Sequence, residues 1–127
     1  MALLTMRVEC FPTEDPSKVL KALLNIFPDS EIEECEGGFV AKSDSAERFK
    51  ELLRNLRILD TARKILRKGR QGNRAIFRIN KQVACVGKIS FVEGEMPLGS
   101  VEVVLESEDI DAVIDEIAPR TVDGEIP

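Results

Sequence analysis

The chain has 127 residues, 43% of them hydrophobic and 32% charged, with a formal charge of -5. That is enough apolar material for a core and too much for a disordered polyampholyte, so one globular domain over residues 1–127 is expected. No stretch approaches the ~18 apolar residues of a membrane span, and the N-terminus lacks the charged and long apolar regions of a signal peptide, which predicts a cytoplasmic protein with no membrane contact.

Thr5 to Phe11 places Met6, Val8 and Cys10 on one side and Arg7 and Glu9 on the other, the period-2 pattern of a half-buried strand. Asp15 then caps, Pro16 suits a first helical position, and Val19, Leu20, Leu23, Leu24 and Phe27 recur at helical spacing until Pro28. Segments 31–36 and 39–42 flank Gly37-Gly38 and read as strand, turn, strand. Asp44 with Glu47 forms a capping-box pattern before a helix with Phe49, Leu52, Leu53 and Leu56 inward, running to about Ile58. Asp60 or Thr61 recaps a further helix that buries Ala62, Ile65 and Leu66, and Gly69 closes it.

Beyond it, Ala75, Phe77 and Ile79 alternate with Arg74, Arg78 and Asn80. Residues 83–92 and 100–106 also read as strands, with Gly87 marking a bulge or bend and residues 93–99 as the connection. Ser107 is the expected cap of a last helix with Ile110, Val113, Ile114 and Ile117 on its core face, ended by Ala118-Pro119. The order βαββααβββα, with hairpin-length turns, argues an α+β domain in two layers, a mostly antiparallel sheet with its helices on one face.

Charge is laid out unevenly. Between Arg48 and Lys88 thirteen bases face only Glu51 and Asp60, a net +11, while the rest of the chain carries -16. A basic segment of this kind points to a polyanion-binding surface, because its local field persists over a Debye length whatever the distant net charge. Arg63 and Arg67, like Lys64 and Lys68, are four apart on a helix, so the four cations are expected on one flank, suited to a phosphate backbone. Arg70, Arg74, Arg78, Lys81 and Lys88 extend the candidate set over the following loop and strands. The plainer alternative is a solvated helix face. Gly69-Arg70-Gln71-Gly72 matches the GxxG pattern with which KH modules approach phosphates, yet a KH loop leads into a helix and 73–81 reads as a strand. A helix cap followed by a turn is the simpler reading, with the loop kept as a phosphate contact.

Other chemistries find little support. The chain has no His, Trp or Tyr, which removes the commonest general base and metal ligand and two of the three stacking rings. Gly87-Lys88-Ile89 lacks the flanking residues of a P-loop, and one Phe in Gly37-Gly38-Phe39-Val40 does not make an RRM strand. Glu108, Asp109, Asp111, Asp115 and Glu116 lack EF-hand spacing and read as a solvated helix face. Cys10, Cys35 and Cys85 form no CxxC pair and read as small core residues. No catalytic residue, metal or cofactor is expected.

Residues 80–91, Asn-Lys-Gln-Val-Ala-Cys-Val-Gly-Lys-Ile-Ser-Phe, followed by Pro97-Leu98-Gly99, resemble a small archaeal family of uncharacterised proteins often labelled RNA-binding. Residues 58–63 and Gly72-Asn73-Arg74 are similar to it too, so the resemblance spans nearly the whole chain; Met96 stands where Ser is expected. The resemblance implies a fold similar to that of the large-subunit ribosomal protein that holds the small ribosomal RNA in the central protuberance, with structured RNA, ribosomal RNA included, as partner. The expectation is a non-enzymatic module gripping structured RNA through phosphate contacts. The alternative is a protein-interaction or homodimerisation module pairing its basic and acidic surfaces.

Overall fold

A computed structural model of the chain describes residues 2–93 and 99–121. The elements are β1 (Leu3–Glu9), α1 (Pro16–Ile26), β2 (Glu31–Cys35), β3 (Gly38–Ser43), α2 (Glu47–Asn55), α3 (Leu59–Lys68), β4 (Arg70–Gln71), β5 (Arg74–Asn80), α4 (Lys81–Cys85), β6 (Ser100–Glu106) and α5 (Ile110–Ile117). All the strands form one antiparallel sheet in the order β2-β3-β1-β6-β5-β4. The α+β class and the antiparallel sheet are as the sequence predicts.

Alternation in the three long strands decides the layering. Leu4, Met6 and Val8 of β1, Ala75, Phe77 and Ile79 of β5, and Val101, Val103 and Leu105 of β6 are all buried, and they share one core with Leu23, Phe49, Leu53, Leu66 and Ile114 of the helices. Their neighbours Thr5, Arg7, Ile76, Arg78, Glu102 and Val104 point to the other face and are half-buried or exposed. Phe27, Phe49, Phe77 and Phe91 form a row of rings with successive centroids 5.5, 5.5 and 6.0 Å apart, tying α1 and α2 to the sheet.

Residues 83–92 are not a strand. Asn80 ends β5 and its side-chain oxygen accepts the Val83 N–H at 3.0 Å, capping α4. Asn25 of α1 donates to the carbonyls of Ala84 and Cys85 at 2.9 and 3.1 Å, occupying the end of that helix. The β-propensity of this valine-containing run is overridden by a cap and a distant amide. Among the described residues that follow, Phe91 alone bridges the sheet, at Ile79. With the two-residue β4 added, the order is βαββααββαβα.

Helix starts differ from expectation in detail. Asp15 caps α1 as expected, accepting from the Ser17 N–H at 2.9 Å. The Asp44 capping box does not form; Ser43 Oγ accepts the Ser45 N–H and the chain enters α2 without a side-chain cap. Asp60 and Thr61 lie inside the first turn of α3, and Asp109 rather than Ser107 caps α5.

Both glycines of the GxxG pattern have structural duties. Gly69 ends α3 where a Cβ would lie 2.0 Å from the Ile76 carbonyl oxygen, so no larger residue permits this approach of helix to sheet. Gly72, at φ +59°, forms the turn between β4 and β5. The helix cap followed by a turn is therefore what the pattern makes.

The register of α3 yields a direct test. Leu66 is fully buried whereas Arg67 and Lys68 are exposed. Leu66→Ala is expected to cost ~2–5 kcal/mol, and Arg67→Ala with Lys68→Ala less than ~0.5 kcal/mol, in urea unfolding. Equal destabilisation by the two changes would contradict the register.

Candidate nucleic-acid interface

Lys64, Arg67 and Lys68 occupy the solvent side of α3, on the helix face opposite Ala62 and Leu66. Lys64 and Arg67 have no carboxylate partner among the described residues, and Lys68 reaches Glu93 only at 3.9 Å. Arg63 leaves this group. Its guanidinium turns to Asp115 of α5 at 2.6 Å and to the Ala118 carbonyl oxygen at 3.2 Å.

Three of the remaining candidates lie on β4 and β5, at one side of the sheet, each beside an acid. Arg70 meets Asp111 at 2.7 Å, Arg74 meets Glu106 at 3.7 Å and Arg78 meets Glu102 at 3.4 Å. Lys50 of α2 likewise meets Glu116 at 3.2 Å. The basic middle of the chain is thus answered in space by the acidic β6 and α5, and the acids Asp111, Asp115 and Glu116 serve as counter-ions to arginine and lysine. The pairs of Arg70, Arg74 and Arg78 are solvated and each contributes at most ~1 kcal/mol, so a phosphate can exchange with the carboxylate. Lys88, exposed, lies in the coil after α4.

Lys81 does not join them. It begins α4 instead of ending a strand, and only 3% of its surface is exposed. Its ammonium donates to the Glu14 carboxylate at 2.8 Å and to the Glu9 carbonyl oxygen at 3.0 Å, and sits 5.2 Å from the centre of the Phe11 ring. Glu14 also accepts the Phe11 N–H at 3.0 Å. The hydrogen bond from Lys81, helped by that from the Phe11 N–H, holds the Glu14 carboxyl below its usual range against a smaller opposing effect of burial. A buried ammonium needs such a partner, and here the pair clamps the loop after β1 onto the start of α4.

Next to this clamp, at the end of the uncovered sheet face, lies an open cavity of about 770 Å³. Arg7, Phe11, Arg78, Ser100 and Glu102 are among its lining, with the backbone of the turn between β2 and β3 as a wall. Sequence reasoning passed over Arg7 and Phe11. The available signal was an aromatic residue just outside a strand in the polar stretch Phe11-Pro12-Thr13-Glu14. Phe39 and Phe77 are buried, and Phe91 belongs to the ring row. The cysteines divide: Cys10 and Cys85 are half-buried, whereas Cys35, expected in the core, is exposed on the edge strand β2.

A family model described as RNA binding matches residues 4–107. The chain belongs to this family. It is 44% identical over 133 residues to a UPF0201 protein of Sulfurisphaera tokodaii, covering 98% of this chain and 92% of that one. It is also 45% identical over 122 residues to a UPF0200/UPF0201 protein of Archaeoglobus fulgidus, where the match covers 94% of this chain but spans only 38% of the relative's length. The crystal structure of a UPF0201 protein from Methanococcus jannaschii superposes with a TM-score of 0.89 at 39% identity, over 100% of this chain and 99% of that one. A DUF54 protein from Methanothermobacter thermautotrophicus shares the fold, with a TM-score of 0.57 at 18% identity over 91% and 93% of the two chains. Among the described residues no helix is long and apolar enough to cross a membrane.

The clamp sets a pH dependence. The lowered Glu14 carboxyl stabilises the fold above its ordinary value of 4.5, and that contribution disappears as pH falls through the lowered value. Glu14→Gln is expected to lose ~1.5–3 kcal/mol at pH 7, as for a charge-assisted hydrogen bond, and to show a smaller further loss on acidification than the parent. Urea titrations at pH 7 and pH 3 measure both, and identical acid sensitivity would remove Glu14 from the clamp.

Proposed function

We propose that the protein is a non-enzymatic module that grips structured RNA mainly through its phosphates, using the exposed side of α3 and the adjoining sheet edge. The observation that carries this reading is the pair Lys64 and Arg67, exposed on one side of a helix with no carboxylate partner among the described residues. Membership of a family described as RNA binding supports the same partner. Lys68 extends the ridge, and Arg70, Arg74 and Arg78 on the adjoining strands, the last two on the sheet face away from the helices, add cations that exchange a carboxylate for a phosphate. Such contacts read the shape of a helix and not its bases. Ribosomal RNA is the first structured RNA to try, given the ribosomal-protein resemblance noted in the sequence. The alternative of a homodimer built on opposite charges draws less support, because Arg63, Arg70, Arg74 and Arg78 already meet their acids within one chain.

If Lys64, Arg67, Lys68, Arg70, Arg74 and Arg78 neutralise about six phosphates, log K for a hairpin RNA against log salt is expected to slope at about -4 to -5. Lys64→Ala with Arg67→Ala should flatten the slope by about 1.5. Asp111→Asn should tighten binding, since it frees Arg70 from its internal competitor. A salt-independent affinity, or no retention of hairpin RNA at low salt, would overturn the reading.

A further inference from the structure

We propose that the cavity at the end of the uncovered sheet face holds one unstacked nucleotide of the bound RNA. This assignment rests on the RNA-binding reading above, extending it from phosphate contacts to a base. Four features of the cavity point to this ligand.

The first is an aromatic ring held in place. Phe11 is half-buried, its N–H is bonded to Glu14, and the Lys81 ammonium lies 5.2 Å from its centre. Such a ring stacks a base at little cost in lost freedom, and it suits any base because every base offers a π-face. The second is a pair of guanidinium groups. Arg7, Glu102 and Arg78 stand directly opposite one another in a cross-strand row on adjacent strands. Arg78 is 3.4 Å from Glu102, while Arg7 is exposed and has no carboxylate partner among the described residues. Arg7 is therefore the free phosphate ligand of the row, with Arg78 on the far side of Glu102.

The third feature is the acceptor set. Glu9, Glu36, Ser100 and Glu102 belong to the same lining, residues whose side chains can accept from ribose hydroxyls or exocyclic amines. A free inorganic anion would gain nothing from Phe11 and would be repelled by Glu102. A purely apolar ligand would strand Arg7, Arg78 and Glu102 against it. A nucleotide, which carries a phosphate, hydroxyls and an aromatic base, offers a partner to each kind of group in the lining.

The fourth is size and position. A volume of about 770 Å³ lies within the usual range of small-ligand sites. Arg78 belongs both to this lining and to the proposed phosphate track along the sheet edge, so the cavity lies at the end of that track.

The test compares a blunt RNA hairpin with the same hairpin carrying a two-nucleotide single-stranded extension. A parallel NMR titration uses adenosine monophosphate, with ribose 5-phosphate as the baseless control. The parent protein is expected to prefer the extended hairpin by about tenfold, in keeping with one stacked base. Phe11→Leu and Arg7→Ala should each bring that ratio close to one while binding the blunt hairpin as the parent does. Arg7→Ala, on the exposed face, guards against a folding defect from the ring substitution. Adenosine monophosphate should shift the Phe11 ring resonances, and ribose 5-phosphate should not. Equal affinity for the two hairpins with an unmoved Phe11 ring would overturn the cavity assignment and leave the phosphate reading standing. Failure to bind either hairpin, with the Phe11 ring still shifted by adenosine monophosphate, would overturn the phosphate reading and support the cavity.

Discussion

The structure depends on a sheet that buries one face only. Burial alternates along strands β1, β5 and β6 without a break, so every core-facing position from Leu4 to Leu105 must be covered on the same side. The amphipathic stripes of α1, α2, α3 and α5 supply that cover. Each fully buried leucine, isoleucine or phenylalanine adds roughly 1.5–3 kcal/mol by removal from water, which is why the side facing the helices is settled so firmly. A shift of one residue in any of these strands would turn its apolar row to solvent. The opposite face is left free to carry Arg7, Glu102 and Arg78 in register, and the helical layer is left free to carry cations on its outside.

Electrostatics then works at two depths. At the surface, acids of β6 and α5 face the cations of β4 and β5 through solvated pairs that are weak and replaceable. Inside, Lys81 and Glu14 form a pair whose loss would leave a nearly buried ammonium with the Glu9 carbonyl but no counter-charge. The first arrangement tunes attraction for a polyanion without altering the fold. The second holds a loop, and with it an aromatic ring, in a fixed place.

How much of this could be read along the chain follows from the reach of each interaction. Strands such as Leu3–Glu9 and helices such as Pro16–Ile26 were visible because burial repeats every two residues in one and at three- and four-residue steps in the other. Residues 81–85 misled because valine and cysteine favour a strand, while the Asn25 amide that finishes the helix lies 59 residues away from Ala84. The basic segment was legible as a charge total but not as a surface. The partners of Arg63 and Arg70 are 52 and 41 residues distant, and nothing local announces them. Lys81 was read as one more surface cation because burial of a long basic side chain depends on Glu14, far back in a loop. The cavity was invisible for the same reason, being assembled from five strands, the start of α4, a turn and a loop.

The outermost strand carries a further consequence. Among the described residues strand β2 pairs only with β3, and its other side presents backbone groups with no strand partner there, the form in which sheets recruit further strands from other molecules. Glu31, Glu33, Glu34 and Glu36 crowd this margin. Two copies approaching margin to margin would bring these carboxylate rows together, and the repulsion would act before any backbone bond could form. The row therefore serves as a gatekeeper against cross-β assembly, guarding a side of the molecule that the rest of the architecture leaves open.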